Sequence, residues 1–195
     1  MYKFVKTVGG PFYRLIFRLK PVNKRNVPKT GGVILCANHS SNHDIVALAL
    51  VCPRNLRFLA KKELWQSKLG SKFFNAMGGI PVDRDNPGMD SFRRSIEVLK
   101  DGDALAIFLQ GTRRQEIDTG DFKSGVALFA VKAKVPVVPV YITPGYKAFG
   151  RTTVTFGEPI SFEEYHDTKV RSEQLNEIAQ QVMDAIEGLR VKSEG

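Results

Sequence analysis

Three observations predict a single α/β domain with a mostly parallel central sheet flanked by helices. Apolar runs of strand length recur at 33–37, 56–60, 104–109 and 135–142. Segments with helical spacing of apolar residues separate them, so strands and helices alternate along the chain. The 195 residues suffice for one domain with a substantial core and carry no internal repeat or low-complexity stretch.

The elements follow in chain order. Residues 1–20 interleave aromatic and aliphatic side chains with Lys and Arg, as in Phe12-Tyr13-Arg14-Leu15-Ile16-Phe17-Arg18-Leu19-Lys20. That composition suits a short amphipathic helix lying in a membrane interface, and equally a short helix packed on the domain. Residues 1–20 are therefore set apart as an interfacial segment and 21–195 as the folded domain. Pro28-Lys29-Thr30-Gly31-Gly32 is a turn feeding the first buried strand, Val33 to Ala37. A helix starting at Ser40 or Ser41 carries the apolar run Ile45 to Leu50, and Leu56 to Ala60 is the next strand.

Ser67 to Met77 is expected to be a helix with Leu69, Phe73 and Phe74 facing inward. Gly78 to Arg84 reads as a short strand ending in charge, whose Pro81, lacking a backbone donor, belongs on a sheet edge or in an irregular segment. Asp90-Ser91 can open a helix with Phe92, Ile96 and Leu99 inside, ended by Asp101-Gly102. Ala104 to Leu109 is a buried strand. Residues 122–133 form a helix with Val126, Phe129, Ala130 and Ala133 inside. The run from Val135 to Ile142 is strand-like, although Pro136 and Pro139 preclude a regular central ladder throughout. Thr152 to Phe156 alternates like a strand, and Leu175, Ile178, Ala179, Val182, Ile186 and Leu189 mark a closing amphipathic helix.

The chemistry concentrates in Asn38-His39-Ser40-Ser41-Asn42-His43-Asp44, a polar cluster on a strand-to-helix turn. Open α/β sheets build their sites at such carboxyl strand ends. His39 and Asp44 suit a general base and the carboxylate that fixes its tautomer. Two other readings use the same residues. Ser41-x-x-Asp44 is also a capping box satisfying free amides at the helix start. His39, His43 and Asp44 could ligate a metal, but His39 precedes the helix and the other histidine, His166, is distant in sequence; no metal is expected.

Net charge is +9, which favours an anionic partner: a phosphate-bearing substrate, an anionic lipid surface or nucleic acid. The basic residues are scattered and no stacking motif accompanies them, so nucleic acid is not expected. Cys36 and Cys52 lie in apolar runs and are read as reduced core residues of a cytosolic protein. No run of 18 apolar residues occurs, and the N-terminus lacks the features of a secretory signal. A second strand-end cluster, Gln110-Gly111-Thr112-Arg113-Arg114, offers a close-approach glycine, a hydroxyl and two guanidiniums suited to phosphate oxygens.

Four ordered blocks resemble the 1-acylglycerol-3-phosphate acyltransferases of the glycerolipid acyltransferase superfamily. Asn38 to Asp44 fits the H-x4-D motif, and Gly79-Ile80-Pro81-Val82-Asp83-Arg84 fits the second block. Phe108-Leu109-Gln110-Gly111-Thr112-Arg113 resembles F-P-E-G-T-R, and Val135-Pro136-Val137-Val138-Pro139-Val140 matches the fourth; Lys123-Ser124-Gly125 sits at the family's K-x-G. The resemblance implies a glycerolipid acyltransferase-like fold over roughly residues 30–160. It also implies acyl transfer from acyl-CoA or acyl-carrier protein to the free sn-2 hydroxyl of 1-acylglycerol 3-phosphate, giving phosphatidic acid without a cofactor. His39 and Asp44 would be catalytic; Arg84, Gly111, Thr112 and Arg113, with Lys61 and Gln110, would hold the lysophosphatidic acid. The expected location is peripheral, on the cytoplasmic face of the cell membrane. Leu109 and Gln110 depart from the family's Pro and Glu, and Gln110 keeps an acceptor oxygen but loses the charge. That departure leaves open another acceptor, such as a different lysophospholipid, glycerol 3-phosphate or an amino-lipid. A noncatalytic anionic-lipid-binding member of the fold is the other alternative.

Overall fold

The computed structural model describes residues 5–82, 89–110 and 120–194. A π-helical turn (Val5–Gly9) leads into α1 (Gly10–Ile16) and the short strand β1 (Lys20–Val22). Then come β2 (Val33–His39), α2 (His43–Val51), β3 (Leu56–Lys61), α3 (Lys68–Ala76), β4 (Gly79–Val82) and α4 (Met89–Lys100). The chain continues through β5 (Ala104–Gln110), α5 (Gly120–Ala133), β6 (Val137–Ile142), β7 (Thr153–Phe156) and α6 (Ser172–Glu194). These strands form one sheet in the order β1-β7-β6-β2-β5-β3-β4. Every neighbouring pair is parallel except β6 with β7.

Strand alternation splits the core into two layers. Ile34, Cys36, Leu105 and Ile107 face α4, α5 and α6, where Leu99, Val126, Ala130, Val182 and Ile186 close the layer. Val33, Leu35, Ala37, Ala104 and Ala106 face the opposite side, covered by Ala47, Leu48 and Val51 of α2. A strand buried on both faces reads as a continuous apolar run, which is why β2, β5 and β6 carry no polar alternation.

This division positions the site. β2 and β5 are neighbours, with His39 in register with Gln110. β2 hands its chain to α2 on one face, whereas β5 hands its chain to α5 on the other. Adjacent strands whose connections leave to opposite faces open a crevice between their carboxyl ends, and the H-x4-D cluster stands at that crevice.

Several expectations meet the structure directly. β4 is an edge strand, where Pro81 costs no ladder bond. β6 lies inside the sheet despite Pro139, but its ladder with β7 begins only at Val140, and Val137 pairs separately with Ile160. Pro139 occupies that interruption, accepting the Gly157 amide at 2.8 Å.

Two expectations are corrected. The helix after β2 starts at His43 rather than at Ser40 or Ser41. In α3, Phe74 faces inward as expected, but Leu69 is 80% exposed and Phe73 is also exposed; Met77 packs on the core with Phe74 in their place. Neighbouring residues differ by about 100° around a helix axis, so the inward stripe is Gly70, Phe74 and Met77. Gly70 permits this, because a Cβ there would stand 2.4 Å from the Leu64 carbonyl oxygen.

Candidate active site

Asp44 is fully buried, with 0% exposure, in the first turn of α2, and its two carboxylate oxygens have different partners. Oδ2 lies 3.1 Å from Nδ1 of His39 and accepts the backbone amides of Ser40 and Ser41 at 2.7 and 2.8 Å. Oδ1 accepts the hydroxyl of Tyr146 at 2.7 Å. The Ser41 hydroxyl oxygen accepts the His43 amide at 3.3 Å. The candidate base pair and the capping motif are thus one arrangement: the carboxylate that meets the imidazole also ties down the loop amides before the helix.

Burial alone would push the Asp44 carboxyl upward. The hydrogen bonds from His39, Ser41, Tyr146 and Ser40 outweigh it and hold the group below the usual carboxylate range. Burial, reinforced by Asp44, raises the Tyr146 phenol, so it stays a protonated donor.

His39 closes β2 with its side chain 24% exposed, so the imidazole is anchored at one nitrogen and open toward the crevice. Phe108 of β5 lies against it, ring centres 5.1 Å apart. Just before it, Asn38 locks the end of β2 to β6. Its side-chain amide donates to the Ile142 carbonyl at 2.9 Å, and its Oδ1 accepts the Ile142 amide at 2.8 Å. The side chain thereby extends the β2–β6 seam past its last backbone pair, Ala37 with Val140.

His43 is engaged elsewhere. Its Nδ1 meets the hydroxyl of Tyr13 on α1 at 2.7 Å, and its ring packs near Phe17 and Tyr146. Among the described residues, no group of three or more His, Cys, Asp or Glu side chains is gathered as a metal site would require. Cys36 is buried, and burial pushes its thiol up to about 12, leaving it protonated and unsuited to nucleophilic attack.

The N-terminal helix docks against the other end of α2. Lys6 Nζ donates to the Cys52 carbonyl at 2.7 Å, and the Arg14 guanidinium donates to the Leu50 carbonyl. Cations on terminal carbonyls complement the helix dipole. Phe12, 74% exposed, together with Val8 and Leu15, remains uncovered on this helix.

Lys61 stands exposed at the carboxyl end of β3, on the same edge of the sheet as His39. Gln110 ends β5 in register with His39. Arg84, Gly111, Thr112 and Arg113 lie outside the described residues; β4 and β5, the strands that precede them, end at the same carboxyl edge. Tyr146 is the site residue that no sequence pattern marked. It lies 102 residues beyond Asp44, and the Pro144-Gly145 turn before it was the sole local signal.

Comparison with known proteins agrees with the geometry. A family model described as Acyltransferase matches residues 18–143. The chain is 34% identical over 166 residues to a 1-acyl-sn-glycerol-3-phosphate acyltransferase of Bacillus subtilis, covering 82% of each chain. It is 31% identical to a protein of the same name from Streptococcus pneumoniae, covering 80% of this chain and 60% of that one. The crystal structure of the 1-acyl-sn-glycerophosphate (LPA) acyltransferase PlsC from Thermotoga maritima superposes with a TM-score of 0.71 at 26% identity, covering 98% of this chain and 79% of that one. A seven-stranded α/β sheet with its H-x4-D cluster at the carboxyl edge, a matching family model and these relatives together show that the chain belongs to the acyltransferase family and is an acyltransferase.

Proposed function

We propose that the enzyme acylates the sn-2 hydroxyl of 1-acylglycerol 3-phosphate, giving phosphatidic acid, with His39 as general base. The 3.1 Å contact of His39 Nδ1 with the buried Asp44 carries this reading. With Nδ1–H donated to Asp44, Nε2 is the nitrogen left to take a proton from the acceptor hydroxyl. The oxygen then attacks the carbonyl carbon of an acyl-CoA or acyl-carrier-protein thioester. Collapse of the tetrahedral intermediate breaks the C–S bond, and the imidazolium returns its proton to the departing thiolate. Asp44 stabilises the imidazolium between these steps. The sequence of events needs neither an acyl-enzyme nor a metal.

The names of the Bacillus and Streptococcus relatives support the acceptor. By resemblance, Arg84, Gly111, Thr112 and Arg113, with Lys61 and Gln110, bind its phosphate and glycerol oxygens. The enzyme works as a peripheral protein on an anionic membrane face. Net charge of +9 and the exposed Val8, Phe12 and Leu15 of the N-terminal helical segment support that placement. Among the described residues no helix is long and apolar enough to cross a membrane.

A second reading, transfer to another acceptor, is favoured by Leu109 and Gln110 alone. The test is product formation from one acyl thioester offered lysophosphatidic acid, other lysophospholipids and glycerol 3-phosphate. Phosphatidic acid formed fastest from lysophosphatidic acid is expected; preferred turnover of another acceptor would replace the first reading by the second.

A further inference from the structure

Tyr146 lies outside all four resembling blocks, on the loop between β6 and β7, yet it holds half of the Asp44 carboxylate. We propose that Tyr146 is a positioning residue for acyl transfer, fixing the rotation of the Asp44 carboxylate so that Oδ2 stays on His39 Nδ1. This rests on the dyad reading above.

The chemistry of the two oxygens supports it. Oδ2 serves the imidazole and two backbone amides, all from the β2–α2 turn. Those donors tie one oxygen of the carboxylate; a donor on Oδ1 fixes the other and so the plane of the group. The Tyr146 hydroxyl supplies it at 2.7 Å from a separate part of the chain. Gly145, at φ +92°, makes the turn that brings Tyr146 back over α2, a conformation costly for other residues.

The Tyr146 ring is itself held in place. It packs 5.0 Å from the His43 ring and edge-on to Phe17 at 5.5 Å. Phe17 in turn packs 4.6 Å from Tyr13, whose hydroxyl meets His43. The donor is thus braced by residues of and just after α1, which connects the N-terminal segment to the dyad through ring packing.

The test is Tyr146→Phe in the full chain, which keeps the ring and removes one hydrogen bond, with His39→Ala beside it. A hydrogen bond to a charged group is strong enough that kcat should fall about tenfold or more, with KM for both substrates within about twofold. The imidazole N–H proton resonance, identified by its loss in His39→Ala, should shift or broaden in Tyr146→Phe. Unchanged kcat in Tyr146→Phe, a loss confined to KM, or an unmoved N–H resonance would overturn the role of Tyr146. With His39→Ala inactive, that failure would leave the dyad intact; full activity of His39→Ala would overturn both.

Discussion

Asp44 is a fully buried carboxylate held by His39, the Ser40 and Ser41 amides and Tyr146, and this makes it the most informative single residue to alter. Asp44→Asn keeps the shape but turns an amide group toward donors, so about 1–3 kcal/mol of stability should be lost in chemical denaturation. The carboxyl is held below its unfolded value, near 3.9, so its contribution to stability is complete above about pH 4 and fades as pH falls through the folded value. Thermal scans should therefore show the wild type losing stability more steeply than Asp44→Asn once pH drops below about 4. At this scale the sequence was half legible. A five-residue spacing across a strand-to-helix turn was enough to bring His39 to Asp44, because both lie in one local motif. Tyr146 was not legible, because nothing local ties a loop residue after β6 to a helix formed a hundred residues earlier.

Two elements show where hydrophobic patterning misleads and where it informs. In α3, Leu69 and Phe73 repeat at helical spacing, yet the buried stripe is set by Gly70 and by Phe74, whose ring packs tilted against Trp65, ring centres 5.1 Å apart. Spacing alone cannot say which of two adjacent apolar stripes faces a sheet edge. In the N-terminal helical segment, by contrast, two basic and three apolar residues have different surroundings. Lys6 and Arg14 bind the carbonyl end of α2, while Val8, Phe12 and Leu15 stay uncovered. The docked side chains meet the packed-helix reading; the interfacial reading is the one to test on the uncovered side. If the exposed side enters a bilayer, Phe12→Ser with Leu15→Ser should weaken binding to anionic vesicles by at least about tenfold, since each buried side chain contributes about 1.5–3 kcal/mol. Thermal stability in solution should change little, because neither side chain is packed.

For the whole molecule, the alternating strands and helices fixed the layered α/β class, and the two-faced apolar runs identified the central strands. Strand order was not legible, because it depends on pairings between β2, β5 and β6 that are distant in sequence. That order matters functionally: it sets β2 beside β5 with their connections on opposite faces and so opens the crevice at His39. The +9 charge is a property of the whole surface, and its expected consequence is electrostatic. Binding to phosphatidylserine- or phosphatidylglycerol-containing vesicles should fall as salt rises from about 0.05 to 0.5 M, as the screening length shrinks, while binding to neutral vesicles should be weak throughout.

The most direct measurement is thiol release from an acyl thioester, with and without lysophosphatidic acid, by the wild type and by His39→Ala of equal thermal stability. Release by the wild type should depend on the acceptor, and His39→Ala should lose about 10²–10⁴-fold, the range general-base catalysis supplies. Acceptor-dependent release that persists undiminished in His39→Ala would contradict a mechanism centred on His39 and Asp44.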